Sequence, residues 1–343
     1  METPVFFIKA NGVDITAKLA NLGISMTVTD NEGINADSLE IGIDDKDGLV
    51  DTPKAGAVLQ AIGGYKGRLR DFGRFSVDSV NLTGWPQRIV ISAKSVAAKS
   101  LAKQRQTLAF KPANFPTYGA ILEHIAGMVG IAPAIHSTIA QIENIYEAMA
   151  DETGTQFILR LCDKLGATIS IKDQRLVAVP KGGGQSASGK SLGSITVTRP
   201  GNLLSYSATW DDNQAYSSVA ASYYDRGKNE KKTEVCTVEN PRGDPQAWNG
   251  LPVWNIREPY ENQAAAKRAA KAKAADIQRA QGSATFEING DPFALAEATA
   301  IVSGARKDVN GNWRVKSASH SFSATSPYTT TLSCDVPESG ASG

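Results

Sequence analysis

Between Phe6 and Ala93, apolar residues recur in short runs separated by turn-forming residues: Asn11-Gly12, Asp30-Asn31-Glu32-Gly33, Asp44 to Gly48, Gly63-Gly64 and Gly84-Trp85-Pro86. Runs of this length, bounded by Gly, Asn, Asp and Pro, predict strands joined by tight turns, arranged as a sandwich or small barrel. Alternation along the runs gives each strand one buried face and one wet face. Phe75 and Val77 fall on one side of a strand, with Arg74, Ser76 and Asp78 on the other, and Ile89, Ile91 and Ala93 repeat the pattern.

From about Lys94 to Pro180 the period lengthens. Ile121, Leu122, Ile125, Met128 and Val129 recur at helical spacing after a Thr117 N-cap, and Gly130 stops the run. A second helix is predicted from Thr155 to Leu165. Its Phe157, Ile158, Leu161 and Leu165 face inward, Arg160 and Lys164 lie toward the negative end, and Gly166 is the C-terminal cap. A hairpin follows, Ala167 to Ile171 and Leu176 to Val179 around a polar turn at 172–175. The segment therefore reads as a compact α/β unit inserted after a β unit.

Residues 181–190 are rich in Gly and Ser and lack large apolar side chains, which predicts a mobile surface loop. Strand periodicity returns beyond Ile195. Tyr206, Ala208 and Trp210 alternate, Val219 to Tyr224 is β-prone, and Tyr328, Leu332, Cys334 and Val336 share one parity. Interrupting this second β region, Glu261 to Gln281 holds nine alanines together with Lys267, Arg268, Lys271, Lys273 and Arg279. Helix propensity there is strong. The stretch carries a mainly basic face and too few large apolar residues for a deep core helix, so a solvated or interface helix is expected. Residues 337–343 read as a flexible tail.

At 343 residues the chain is long enough for two or three domains, and its 41% hydrophobic and 21% charged residues are those of a folded protein. Charge changes the picture only by exclusion. Lys and Arg number 36 against 35 acidic residues, so no global field draws the chain to nucleic acid or an anionic membrane, and a protein partner is expected. Cys162, Cys236 and Cys334 are odd in number and widely spaced, which opposes both a disulfide framework and a zinc site. The N-terminus has Glu2, an apolar run only from Val5 to Ile8 and no small-residue cleavage pattern. It is not read as a signal peptide, and no run reaches the roughly 18 apolar residues of a membrane span. Synthesis in the cytosol, in a reducing compartment, is the expectation.

Candidate chemistry is sparse. Gly184 to Ser191 matches the phosphate-loop pattern G-x-x-x-x-G-K-S, but Leu192 to Thr198 reads as a strand where a nucleotide site needs a helix N-terminus. His124, His136 and His320 lack the i+3 or i+4 partners of a metal box. Asp44-Asp45 and Asp151-Glu152 could supply the paired carboxylates of a cell-wall hydrolase, yet their Gly and Thr neighbours favour turns and caps. The sequence thus predicts a non-enzyme without cofactor or metal. In the Pro-rich stretch 241–259 and just beyond it, Trp248, Trp254 and Tyr260 form an aromatic group that suits contact with another subunit or a cover over the β unit's end.

A set of short fragments, in order over about 300 residues, resembles the phage late control D family of contractile-tail baseplate hub proteins, which is related to the base of type VI secretion spikes. The fragments are Asp45 to Leu49, Pro53, Lys54 to Leu59, Gly64-Tyr65 and Gly73 to Asp78. They continue with Asp151 to Leu161, Leu165 to Ala167, Gly311-Asn312-Trp313, Val315, His320 and Tyr328-Thr329-Thr330.

The resemblance implies a mainly β fold in which two tail-tube-like β-barrel domains, 1–100 and 191–336, flank a small α/β domain at 101–190. It implies a homotrimer that adapts a hexameric tail tube to a trimeric spike, since closed rings need matching rotational contacts. Baseplate wedge and tape-measure proteins are implied neighbours, DNA is implied only as cargo through the lumen, and no membrane partner is implied. The implied place is the virion tail or injection-particle baseplate, assembled in the host cytoplasm. His320 is placed on a strand of the second barrel, on the face of Ala318 and Phe322, as a packed or subunit-contact residue. Two other readings remain: a tail-tube or terminator subunit, which would need one barrel, and a tail-associated peptidoglycan hydrolase, which would need a carboxylate pair in a cleft.

Overall fold

The computed structural model describes residues 3–19, 22–95, 105–128, 130–172, 175–182, 184–211, 215–225, 227–240 and 250–336. The first stretch holds β1 (Pro4–Ala10), β2 (Val13–Asp14), α1 (Thr16–Leu19), β3 (Ile24–Asn31), β4 (Ser38–Asp44), β5 (Val58–Tyr65), β6 (Arg68–Thr83) and β7 (Arg88–Ser95). The middle stretch holds β8 (Arg105–Phe110), α2 (Tyr118–Met128), β9 (Ala132–Ile135), α3 (Ser137–Ala140), β10 (Glu147–Thr153), α4 (Gly154–Leu165), β11 (Ala167–Lys172) and β12 (Arg175–Pro180). The last holds β13 (Ser194–Thr198), β14 (Leu203–Trp210), β15 (Ser218–Asp225), β16 (Glu230–Thr237), β17 (Val253–Asn255), α5 (Gln263–Ala280), β18 (Gly282–Asn289), β19 (Thr299–Ser303), β20 (Gly311–Ser323) and β21 (Thr329–Asp335). The protein is mainly β.

The strands of the first and last stretches do not form two separate closed barrels. Thirteen of them make one sheet, ordered β14-β18-β21-β20-β3-β4-β7-β6-β5-β1-β2, with β19 beside β20 and β13 beside β19, while β16-β15-β17 form a separate three-stranded sheet. The joint is antiparallel pairing of β20 with β3, Ser317 opposite Asn31 through Ser323 opposite Ser25. Alternation in sequence marks which face of a strand is wet but not which strand lies at its edge, and here the partners stand 290 residues apart.

Period-two burial follows the sequence closely. In β3, Ile24, Met26 and Val28 point into a core shared with Ile41, Ile43, Phe75, Val77, Ile89, Ile91 and Ala93. A second core on the other side of the joint gathers Phe286, Ile288, Trp313, Val315, Leu332 and Cys334. The edge strand β14 departs from expectation: Tyr206 is exposed although it alternates with Ala208 and Trp210, because an edge strand is covered from one side only.

The middle segment combines helices α2, α3 and α4 with strands β8 to β12. Helix α2 is capped by Thr117, whose hydroxyl accepts from the Ala120 N–H at 3.3 Å, and Met128 points outward rather than in. In α4 the buried residues are Phe157, Ile158, Leu161 and Leu165. Thr153 and Gln156 close a capping box at its start, and Gly166 ends it at φ 61°. A β-carbon at Gly166 would stand 3.2 Å from that of Ala272, so glycine serves both the turn and the close approach of α5.

Helix α5, expected to be a solvated or interface helix, keeps a solvent face and packs the opposite one. Ala266, Ala270, Ala274 and Ile277 are buried against Val219, Ala221 and Tyr223 of β15, forming a core of their own. Small side chains allow the helix to sit close to the sheet, where large ones were thought necessary. Lys267 and Lys271 keep the solvent face, while Arg279 is buried beside Asp276. Replacing Ala270→Leu should overpack this contact and lower stability by about 1–3 kcal/mol. A urea titration followed by circular dichroism measures it, and an unchanged midpoint would contradict the close packing.

Candidate functional site

The joint between the two β regions holds buried polar groups, among them Asp30, His320 and Thr330. Phe322 and Tyr328 come from the last stretch of the chain yet pack in the core of the first, their rings stacked 4.0 Å apart. Phe6 lies 5.9 Å and Phe72 6.1 Å from Phe322, and Tyr65 lies 5.4 Å from Tyr328, by ring centroids. Gly63 makes room for this group, since a β-carbon there would stand 2.6 Å from the Phe322 ring.

Asp30, at the end of β3, ties three parts of the chain together. Its carboxylate accepts from Lys172 Nζ at 2.5 Å, at the end of β11, and from the Ala296 N–H at 3.3 Å. Arg70 stands 3.6 Å away and donates to the carbonyls of Pro292 and Ala294. Lys172 also reaches Asp37 at 2.5 Å and the Asn31 carbonyl at 2.8 Å. Burial alone would lower the lysine pKa, but the two carboxylates outweigh it and hold Lys172 above its ordinary value; for Asp37, burial wins and raises it.

The middle unit has a second anchor. Glu147, 3% exposed at its side chain, accepts from Tyr118 at 2.7 Å, Lys164 at 2.6 Å and Arg160 at 3.0 Å. Lys164 also reaches Glu261 at 2.6 Å, and Lys181 reaches Asp276 at 2.7 Å, so the unit is pinned to α5 as well as to β3. Arg160 and Lys164, read from sequence as favourable dipole partners, act mainly through these carboxylates.

The two β regions repeat one topology. In the first, taking β1, β3, β4, β5, β6 and β7 as strands one to six, the lateral order is two-three-six-five-four-one. Strands β13, β14, β18, β19, β20 and β21 give the same order. The fifth strand is the longest in each repeat, and its ladder with the sixth slips once in each, between Val77 and Ser79 and between Val315 and Ser317. One pair differs: β1 with β5 is antiparallel, whereas β13 with β19 is parallel.

The joint is thus a contact between strand two of one repeat and strand five of the other. The complementary pair of edges is open. Strand β14 pairs with β18 on one side and, among the described residues, with no strand on the other. Strand β6 pairs with β5 through Ser76, and from Ser79 to Thr83 that same side meets no strand among the described residues.

Across the sheet, the outward positions are hydroxyl-rich. They are Ser205, Ser207 and Thr209 on β14, Ser283 and Thr285 on β18, and Thr329, Thr331 and Ser333 on β21. Ser317, Ser319, Ser321 and Ser323 on β20 and Ser25, Thr27 and Thr29 on β3 complete the face. Thr29 and Ser319 touch across the joint at 3.2 Å. Charges gather at one rim, where Arg314 meets Glu32 and lies 4.0 Å from Asp335.

The residues singled out from sequence are scattered. His320 is fully buried in the joint, bonded through Nδ1 to Tyr328 at 3.0 Å and near Thr330 at 3.3 Å, with Phe72 4.9 Å away. It offers no surface to a second subunit, which corrects its subunit-contact role in favour of packing. Trp254 meets Tyr216 at 5.0 Å and Lys273 at 4.8 Å, and Tyr260 packs on the α5 core while its N–H donates to Ser222. Trp248 and the tail 337–343 lie outside the described residues. The Gly/Ser segment carries hydrogen bonds of its own, Ser186 N–H to Lys190 at 2.7 Å and Leu192 N–H to Gly184 at 2.8 Å, and leads into strand β13. Asp45 accepts from the N–H groups of Leu49 and Val50, holding a loop beside an apolar cavity of about 710 Å³ lined by Ile8, Ile41, Leu59 and Ile91. Asp151 pairs with Arg105 and Glu152 with Arg160.

Sequence reasoning did not find Asp30, Arg70, Lys172 or the open edges. One signal was present: Ser25-Met-Thr-Val-Thr29 and Ser205-Tyr-Ser-Ala-Thr209 share an alternation of hydroxyl and apolar residues and occupy equivalent strands.

Comparison with known proteins decides the family. The model of the phage tail baseplate hub (GPD) family matches residues 100–326. The chain belongs to that family. It is 28% identical over 369 residues to the probable baseplate hub protein of Escherichia phage P2, with 97% of this chain and 93% of that protein covered. Its fold is shared with the tail protein of Neisseria meningitidis MC58, at a TM-score of 0.70 and 15% identity over 97% of this chain and 96% of that one. The c3393 protein of E. coli, a component of the type VI secretion system, shares it at a TM-score of 0.56 and 10% identity, over 97% of this chain and 77% of that one. This hub protein is therefore a structural component of the virion tail baseplate, not an enzyme. No helix among its described residues is long and apolar enough to cross a membrane.

The buried joint predicts a pH dependence. Burial, then the charge of Arg70, lowers the His320 pKa from 6.5 to about 3. Between those values the unfolded chain takes up a proton that the folded one refuses, so stability falls as pH drops below 6.5, by up to about 1.4 kcal/mol per pH unit. In His320→Phe this share of the slope between pH 6 and pH 4 should vanish; denaturant midpoints with the wild-type slope would refute it.

Proposed function

We propose that this baseplate hub works as a homotrimer that adapts a hexameric tail tube to a trimeric central spike. The observation that carries the reading is the repeated six-stranded topology. Each repeat is taken as the equivalent of one tube subunit, so three chains present six equivalent edges toward the tube while keeping threefold symmetry toward the spike. In this reading the domains run 1–100, 101–190 and 191–336, with the α/β unit clamped between the repeats. The baseplate wedge and tape-measure proteins are neighbours, and DNA passes as cargo through the lumen. Assembly takes place in the bacterial cytoplasm. Two repeats in one chain speak against a tube or terminator subunit, which needs a single one.

Light scattering of the purified chain, alone and co-expressed with the spike protein, tests the proposal. The expected mass is three times the 36.3 kDa chain, or a three-to-three complex with spike. A sixfold ring of hub chains, or a monomer under both conditions, would overturn it.

A further inference from the structure

We infer that the free edge of β14 pairs with the free edge of β6 in a second copy of this chain, in the register that β3 keeps with β20 inside the chain. The inference rests on the trimer reading and specifies its seam.

Equivalence between the repeats fixes the register without adjustable choice. Leu39 and Ile41 of β4 stand opposite Ala93 and Ile91 of β7, as Ala284 and Phe286 of β18 stand opposite Cys334 and Leu332 of β21. Val28 faces Leu39 as Ala208 faces Ala284, so β3 corresponds to β14 at a constant offset and Thr29 corresponds to Thr209. The ladder slips after Val77 and Val315 likewise align β6 with β20. Ser79 corresponds to Ser317, Asn81 to Ser319 and Leu82 to His320.

Inside the chain, Thr29 lies opposite Ser319 and Val28 opposite His320. Transferred to two copies, Thr209 comes opposite Asn81, Ala208 opposite Leu82 and Ser207 opposite Thr83. The transfer accounts for an exposure that the single chain leaves unexplained. Leu82 is 63% exposed on the strand face whose counterpart residue, His320, is fully buried. Beside Ala208, with Tyr206 diagonal to it, Leu82 gains the cover its position in the repeat calls for. The partner is a second copy because both edges belong to this chain and the geometry that matches them is its own internal joint.

Cross-linking tests the register. At the internal joint the side-chain oxygens of Thr29 and Ser319 approach to 3.2 Å, so cysteines at the equivalent Thr209 and Asn81 fall within disulfide reach. A chain carrying both Thr209→Cys and Asn81→Cys should, under mild oxidation, shift from the single-chain band to dimer and trimer bands that reductant reverses. Wild type and each single variant should stay at the single-chain band. A second variant, Leu82→Asp, should lose trimer mass in light scattering while keeping its circular dichroism spectrum. A trimer by mass with no ladder, or one that tolerates Leu82→Asp, would overturn the register and leave the trimer reading standing. Absence of trimer in wild type, alone and with spike, would overturn both.

Discussion

Pairing of β3 with β20 is the constraint on which the rest of the architecture depends. It joins residues 290 apart into one sheet and brings Phe322 and Tyr328 into the core of the first repeat. Asp30 completes the joint by gathering Lys172, Arg70 and the Ala296 N–H. Such a cluster is not a large source of net stability, since removing charges from water costs nearly what their attraction returns. Its effect is directional. Losing one partner would leave the other charges buried without compensation, so the arrangement specifies one docking of the three parts over the alternatives.

The middle unit is held at corresponding places on both repeats. In the first repeat, the connection between strands two and three is the short loop containing Ile34 and Asp37, and these residues touch the middle core and Lys172. In the second, the same connection is expanded into β15, β16, β17 and α5, and it meets the middle unit through Glu261, just before α5, and Asp276 within it. One insertion therefore answers a loop at the equivalent position, and the α/β unit bridges the two. That symmetry of attachment explains why a helix made largely of alanine is buried: it lies between the β15–β16–β17 sheet and the end of α4, and bulk would push them apart.

How far the sequence reveals this depends on the range of the interaction. Helix α4 was legible nearly to the residue because its determinants are local: four apolar positions on one stripe, Gly166 after its end and basic side chains near it. The parity of β7 and β21 was legible for the same reason. The single sheet was not, because hydrogen-bonding edges leave no mark on side-chain alternation. His320 shows the same limit. Its strand and face follow from the family resemblance, but only the fold reveals that Arg70 and Phe72 close over it. The basic face of α5 was legible, but its buried alanine face was not, because residue size is a poor measure of burial where close contact with β15 favours the smallest side chains.

The outward face of the shared sheet has a consequence of another kind. From β14 to β3 its side chains are overwhelmingly serine and threonine, with Glu287 the charged exception on those strands short of the Arg314–Asp335 rim. Hydroxyl groups keep such a wall wetted, since each can donate to and accept from water. They give mobile ions little to screen. Whatever lies against this wall therefore meets a boundary whose grip is nearly the same in dilute buffer and in concentrated salt.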